Sequence, residues 1–106
     1  MDIQMRRGLL EVAVLAAIKQ QDSYGYQIIK DTSSFVEISE STLYPILRRL
    51  EGGGLLTEYK MEHNGRLRKY YRITDAGRTR LAEFGREWEE MNRIYRFVMR
   101  GEDGND

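Results

Sequence analysis

Hydroxyl and guanidinium side chains flank an apolar helical stripe between residues 41 and 50. The stripe has the i, i+3, i+4 and i+7 spacing of one helix face and consists of Leu43, Ile46, Leu47 and Leu50. The opposite face then carries Ser41, Thr42, Tyr44, Arg48 and Arg49. Side chains of these types donate hydrogen bonds to base edges and to phosphates. The pattern predicts a helix whose outward face contacts a nucleic acid. Arg48 is placed for base recognition, whereas Arg49 either joins it or forms a salt bridge.

A second basic group surrounds Asn64-Gly65, a dipeptide typical of two-residue hairpin turns. Apolar and polar residues alternate over residues 56–62 and 67–73, which predicts a two-stranded ribbon. Its base would be anchored by Leu56, Tyr71 and Ile73, and its tip would carry His63, Arg66, Arg68 and Lys69. Contact of Arg66, Arg68 and Lys69 with phosphates is favoured, although charges on an edge strand also prevent aggregation. The strand register stays open, because a three-residue loop would exchange the two faces.

Charge is distributed unevenly along a chain whose formal net charge is zero. Residues 39–72 contain seven basic and four acidic side chains and are net +3, whereas residues 83–106 contain four basic and seven acidic side chains and are net −3. A neutral protein with this distribution can still present a basic face to phosphate.

The side chains needed for catalysis are scarce. The chain has no cysteine and one histidine, which excludes thiol nucleophiles and thiolate metal sites and restricts imidazole chemistry. Gly52-Gly53-Gly54 lacks the Lys-Ser/Thr pair that completes a phosphate-binding loop. We therefore expect no enzymatic activity, no metal and no cofactor. The longest apolar run, residues 12–18, is far shorter than the roughly 20 residues of a membrane span, so a cytoplasmic protein without membrane contact is expected.

Two further helices are predicted before the helix of residues 41–50. Residues 9–18 are apolar on nearly all sides and rich in alanine, which favours a buried first helix. A short second helix would be capped by Asp22 or Ser23 and would end near Thr32, where hydroxyl side chains compete for backbone hydrogen bonds.

The helix of residues 41–50 has residues suited to start it and residues suited to stop it. Ser39 or Ser41 is a candidate N-cap, and residues 52–54 are glycines that can adopt positive φ and stop the helix. Pro45 fits only if it lies near the first turn, where few backbone donors have partners within the helix.

A long last helix is predicted after Thr74, over residues 75–100, with a polar frayed tail at residues 101–106. Its apolar residues recur at alternating steps of three and four and are Leu81, Phe84, Trp88, Met91, Tyr95 and Val98. Such a heptad stripe needs a partner surface, and a second copy of the chain is the simplest one. Trp88 is expected to anchor that interface. The alternative is that two Trp88 indoles line a site for a flat aromatic effector.

These residues together also resemble the small members of the PadR-type transcriptional regulators over nearly the whole chain. The resemblance rests on Tyr24-Gly25-Tyr26, Ile28-Ile29-Lys30, Ser41-Thr42-Leu43-Tyr44-Pro45-Ile46-Leu47, Arg49-Leu50-Glu51, Gly54-Leu55-Leu56, Arg68-Lys69-Tyr70-Tyr71-Arg72-Ile73-Thr74 and Ala76-Gly77. It implies a homodimer that binds an inverted-repeat operator in double-stranded DNA, usually as a repressor, with the first and last helices in the dimer interface. The resemblance also accounts for a proline within the third helix.

The expected fold is therefore mainly α with a small β-hairpin, an α+β winged helix-turn-helix followed by a long dimerisation helix. We expect a DNA-binding region over residues 1–74 and the dimerisation helix over residues 75–100, within one globular unit. The competing interpretation is a winged-helix module that binds protein and no DNA, because a fold alone does not determine a function.

Overall fold

In the computed structural model, four helices and one hairpin follow each other along the chain, and the structure describes residues 1–102. The helices are α1 (Ile3–Ala17), α2 (Gly25–Thr32), α3 (Glu40–Gly52) and α4 (Asp75–Val98). Strands β1 (Leu56–His63) and β2 (Arg66–Ile73) lie between α3 and α4 and pair antiparallel. The expected α+β fold with a long C-terminal helix is confirmed. Of the predicted tail, residues 101 and 102 form a turn, and residues 103–106 lie outside the described part.

The core lies where the first three helices meet the base of the hairpin. The predicted stripe of α3 is buried, as are the three anchors of the hairpin base. Helices α1 and α2 complete the cluster, whose most enclosed members are Val14, Leu15, Ile18, Ile28, Leu43, Ile46 and Leu56. Burial of one face of α3 is what directs its polar face outward.

Helix α1 is longer than expected and begins at Ile3, because Asp2 caps it by accepting a 2.9 Å hydrogen bond from the Met5 amide. The prediction that Asp22 or Ser23 caps α2 is wrong. Tyr24 occupies that N-cap and makes no side-chain capping bond. The backbone of Ser23 instead exchanges hydrogen bonds with Tyr71 of β2, which holds it in an extended conformation.

Helix α3 begins at the Ser39 cap, whose hydroxyl accepts from the Thr42 amide. Pro45 lies in the second turn and not in the first, so it cannot donate to the carbonyl of Ser41, yet the helix continues to Gly52. The helix then ends at glycines, of which only Gly54 has a positive φ, at 76°. Gly54 is therefore the one position of the three at which a side chain would be strained.

The hairpin register, which the sequence left open, follows from a two-residue turn. Asn64 and Gly65 have φ values of 51° and 80°, as a type I′ turn requires. His63 faces Arg66 across the turn, and Leu56 faces Ile73 at the base. Cross-strand partners share a face, so the Lys60–Lys69 pair lies on the core side of the ribbon and the Tyr59–Tyr70 pair on the other.

Helix α4 is joined to the body of the protein at its start. The Thr74 hydroxyl accepts from the Gly77 amide and donates to the Gly54 carbonyl, and a side chain on Gly77 would overlap the Leu55 carbonyl. Leu81 packs against the core. Phe84 is half-buried, and from Trp88 onward the apolar stripe is exposed along a molecule that extends 61 Å in its longest dimension.

No helix within residues 1–102 is both long enough and apolar enough to cross a membrane.

Candidate nucleic-acid interface

The outward face of α3 presents Ser41, Thr42 and Arg48 to solvent. Arg48 has no ion pair with any residue that the structure describes. Its guanidinium therefore keeps all five N–H donors for an external acceptor. Of the predicted readout residues, Arg48 is the cation that the fold leaves available on this helix.

Tyr44 lies at the flank of the same face and is 39 % exposed. Its hydroxyl packs over Gly25 at the start of α2, where an added Cβ would lie only 2.6 Å from the phenolic oxygen. Tyr44 thus has a structural contact in addition to its exposed edge. A side chain at position 25 would displace the Tyr44 ring from this contact, because the ring comes so close to the backbone.

Arg49 forms the salt bridge that the sequence left as an alternative. Its Nε lies 2.9 Å from the Glu11 carboxylate of α1, thirty-eight positions earlier. The pair is partly exposed and links α3 to α1. Arg49 therefore differs from its neighbour Arg48, although the sequence gives both the same side chain.

The wing, defined here as the hairpin β1–β2, separates its predicted basic residues onto two faces. Arg66 lies exposed at the tip opposite His63. Lys69 lies on the other face directly opposite Lys60, and its ammonium is 3.9 Å from the Glu58 carboxylate. Glu58 thus offsets part of the repulsion between the two lysines. Lys60 is exposed and has no ion pair within residues 1–102, so it is a candidate phosphate contact that became visible only with the register.

Arg68 is more constrained than the sequence suggested. Its guanidinium carbon lies 3.8 Å from the centroid of the Tyr24 ring, and it donates to the Tyr70 hydroxyl at 3.4 Å. Such stacking over an aromatic face is a favourable cation–π contact. Arg68 consequently lines a cleft of about 520 Å³ between the wing and the starts of α2 and α3, together with Tyr26, Tyr44 and Lys69.

A hydrogen-bonded cluster that the sequence did not reveal fixes the base of the wing. Asp22, in the turn after α1, accepts from the Tyr59 hydroxyl at 2.6 Å and from Arg72 at 3.0 Å. Burial raises the pKa of Asp22, but the hydrogen bonds from Tyr59 and Arg72 outweigh it and bring that pKa below its ordinary value of 3.8. The same contact raises the pKa values of Tyr59 and Arg72.

Two further arginines lie beside α3 and were not among the predicted site residues. Arg6 and Arg7 of α1 line a cleft of about 290 Å³ with Thr42 and Pro45. The sequence signal was present, because both lie on the helix face that continues the buried Leu10. Arg6 and Arg7 were nevertheless not predicted as site residues, because α1 was expected to begin at residue 9.

The predicted dimerisation stripe divides into two parts. Leu81 packs within the chain and Phe84 is half-buried. The remaining four are exposed, between 48 % and 62 %, and are Trp88, Met91, Tyr95 and Val98. Trp88, Met91, Asn92 and Tyr95 line a shallow apolar pocket of about 320 Å³ on one side of α4.

Within residues 1–102, no three His, Asp or Glu side chains are grouped to hold a metal ion.

The sequence profile of the transcriptional regulator PadR-like family matches residues 14–83, which run from the last turn of α1 into the first half of α4. The chain belongs to this family. A transcriptional regulator of Mycobacterium tuberculosis is 34 % identical over 91 residues, which cover 85 % of each chain. A PadR-like transcription factor from Bacteroides fragilis has a solved structure that superposes with a TM-score of 0.81 at 33 % identity, over 90 % of this chain and 94 % of that one. A Streptococcus mutans structure reaches 41 % identity and a TM-score of 0.79, with 90 % of each chain covered.

Membership of the PadR-like family makes this chain a transcriptional regulator with a winged-helix fold. The family match ends at residue 83, whereas the structural likeness covers 90 % of the chain. Regulators of transcription are in general not enzymes.

Proposed function

We propose that this PadR-like regulator binds double-stranded operator DNA as a homodimer. The observation that carries the proposal is the division of α3 into a buried apolar face and an exposed face. The exposed face carries Ser41, Thr42 and Arg48, and Arg48 has no ion pair with any residue from 1 to 102. A helix of this kind fits the major groove, which admits an α-helix and displays a distinct donor and acceptor pattern for each base pair.

The proposed contacts fall into two classes. On α3, Ser41, Thr42, Tyr44 and Arg48 read base edges or the adjacent backbone, with Arg48 the strongest candidate for a bidentate contact to guanine. Arg49 lies on the same face and reaches phosphate with the donors that Glu11 leaves unused. On the wing, Arg66, Arg68 and Lys69 contact phosphates or a minor groove, as wings of this fold do.

The homodimer is proposed from α4. A helix that partly buries its apolar stripe at Leu81 and Phe84 and exposes it from Trp88 to Val98 requires a second surface to cover the exposed part. Gly85 supports the same proposal, because a Cβ there would meet nothing within 4 Å in the chain, although glycine within a helix is destabilising by about 1 kcal/mol. Two-fold pairing of the chain would give an inverted-repeat operator, since half-sites follow the symmetry of the protein.

The proposal includes release by a ligand. Trp88 and Tyr95 flank an apolar pocket on the proposed interface, and flat aromatic molecules stack favourably on such rings. A small hydrophobic or aromatic effector bound there would change how the two α4 helices pack and hence the spacing of the two α3 helices. The alternative is that Trp88 only packs against the partner.

The regulator is proposed to act as a repressor in the cytoplasm, without catalysing a reaction and without a cofactor. The resemblance of the sequence to small PadR-type regulators supports repression, because a dimer that occupies a promoter excludes the polymerase from it.

The experiment is binding of the purified protein to fragments from its own promoter and from neighbouring intergenic regions, with random competitor DNA. We expect one fragment to be retained selectively, with a two-fold symmetric footprint and an affinity that falls steeply between about 50 and 200 mM salt. A folded dimer that retains no fragment selectively would contradict the proposal and favour a winged-helix module that binds protein.

A further inference from the structure

The start of α1 carries two cations beside the proposed recognition helix. Leu10 is buried in the core, and the positions three and four residues earlier on the same helix face are Arg7 and Arg6. Both extend past the end of the core and line a cleft with Thr42 and Pro45, which belong to the first half of α3. The first turns of α1 therefore lie next to the same edge of α3 that presents Thr42.

Within residues 1–102, neither arginine has a counter-ion. Asp2, one turn before Arg6, uses its carboxylate to cap the helix at the Met5 amide, 2.9 Å away. Glu11, one turn after Arg7, is held by Arg49 at 2.9 Å. Arg6 and Arg7 are exposed, and neither forms an ion pair with any other part of the described chain.

A third cation, Arg49, lines the same cleft, but it lies 2.9 Å from the Glu11 carboxylate and is therefore already paired. Arg6 and Arg7 are thus the cations of this cleft whose guanidinium groups are available to an external anion. An unpaired guanidinium beside a helix that enters a groove is suited to phosphate, since its planar donors match two phosphate oxygens at once. Such contacts fix the orientation of a protein on the duplex and carry no sequence information.

We propose that Arg6 and Arg7 bind phosphates of the DNA backbone beside the groove that α3 occupies. This inference rests on the proposed DNA binding of α3 and extends the contact surface to the N-terminal turns of α1. Operator DNA would then be held from three elements, which are the start of α1, α3 and the wing.

The test uses the variant Arg6→Gln/Arg7→Gln and a duplex carrying the operator that the wild-type chain selects from a random pool. Affinity is measured by fluorescence anisotropy between about 50 and 200 mM salt. We expect the slope of log K against log salt to fall in magnitude by about 1 for each arginine removed, with unchanged base preference in a repeated selection. The variant Arg6→Lys/Arg7→Lys, which keeps both charges, should retain most of the slope.

A matched control removes two charges elsewhere. Arg86 and Arg93 lie seven residues apart on α4, are exposed and have no ion pair among residues 1–102. Arg86→Gln/Arg93→Gln changes the net charge equally and should leave the slope unchanged. A slope that falls equally in both double variants would show a general charge effect and overturn the inference, as would an altered base preference in Arg6→Gln/Arg7→Gln.

A second measurement compares the wild type and Arg6→Gln/Arg7→Gln on chemically modified DNA. Methylphosphonates, which remove one phosphate charge each, are placed one at a time along the duplex. We expect positions at which the substitution weakens the wild type but not Arg6→Gln/Arg7→Gln. Binding by the wild type without any such position overturns this inference and leaves the proposed function intact. A wild-type chain that shows no salt-dependent DNA binding overturns the proposed function itself.

Discussion

The Tyr59 hydroxyl donates a 2.6 Å hydrogen bond to the carboxylate of Asp22, thirty-seven positions earlier in the chain. The same carboxylate oxygen accepts from Arg72 on the neighbouring strand, with a closest approach of 2.9 Å. One side chain in the turn after α1 is thereby joined to both strands of the wing. This contact acts together with the Ser23–Tyr71 backbone hydrogen bonds and the stacking of Arg68 on Tyr24 in holding the wing against the body of the protein.

Asp22→Asn is expected to loosen the wing. The amide has the same shape but loses the charge that Arg72 pairs with, and a partly exposed pair of this kind contributes at most about 1 kcal/mol. We expect faster amide hydrogen exchange in β1 and β2, a small loss of stability and weaker DNA binding. Asp31→Asn is the control, because Asp31 is an exposed acid on α2 that accepts a hydrogen bond from Gln27 and none from the wing within residues 1–102. Unchanged exchange in the wing of Asp22→Asn would show that Asp22 does not position it.

The contribution of Asp22 to stability should depend on pH. Its pKa in the folded state lies below the ordinary value of 3.8, so the unfolded chain binds the proton more tightly. The stabilisation is then complete above about pH 3.8 and is lost as the pH falls through the lower, folded-state pKa. Urea unfolding of the wild type and Asp22→Asn at several pH values should give a difference in unfolding free energy that is present near neutrality and shrinks in acid. A difference that grows in acid would contradict this assignment.

Arg48 and Arg49 should behave differently when each is changed to alanine. Arg48→Ala is expected to relax base preference at one position per half-site and to weaken specific binding by about 1 to 3 kcal/mol. Arg49→Ala should also break the bridge to Glu11, so Glu11→Gln should reproduce part of its effect. DNA binding and the free energy of unfolding are measured for Arg49→Ala, for Glu11→Gln and for the double variant Glu11→Gln/Arg49→Ala.

Coupling between Glu11 and Arg49 is the decisive quantity in that cycle. Contacting residues give non-additive effects, whereas independent sites add within about 0.3–0.5 kcal/mol. An additive double variant would mean that the 2.9 Å bridge has no energetic role in solution.

The prediction for Arg48→Ala has its own contradicting outcome. Equal loss of affinity for operator and random DNA in that variant would show that Arg48 does not recognise bases.

The elements with strong local periodicity were predictable, and the contacts between distant residues were not. The stripe of α3 and the Asn64-Gly65 turn each determine their element from within a few residues. The Asp22 cluster joins positions thirty-seven and fifty apart, and nothing in either segment alone specifies that pairing. Asp22 instead has the local signature of a helix cap, which is why that assignment was wrong.

The site was predicted by residue type but not by which cations the fold uses internally. Arg48 and Arg49 are adjacent and chemically identical, and only the packing of α1 on α3 separates the free side chain from the paired one. Arg6 and Arg7 were not predicted as site residues because the start of α1 was placed after them. Polar residues interrupt the apolar pattern at the start of α1, so periodicity alone placed the beginning of the helix too late.

Leu81 and Trp88 lie on the same stripe of α4 but should affect different equilibria. Leu81 packs against the core of its own chain, so Leu81→Ala should lower the unfolding free energy by about 2 kcal/mol without changing the dimer constant. Trp88 is 54 % exposed, and as a central aromatic anchor its replacement by alanine should weaken the dimer about 30-fold, which corresponds to about 2 kcal/mol. Sedimentation equilibrium over a range of concentrations measures the dimer constant of each variant. A Trp88→Ala protein that remains as tightly dimeric as the wild type would exclude Trp88 from the interface. Saturable quenching of Trp88 fluorescence in the wild type by planar ligands would then have to arise from binding within one chain.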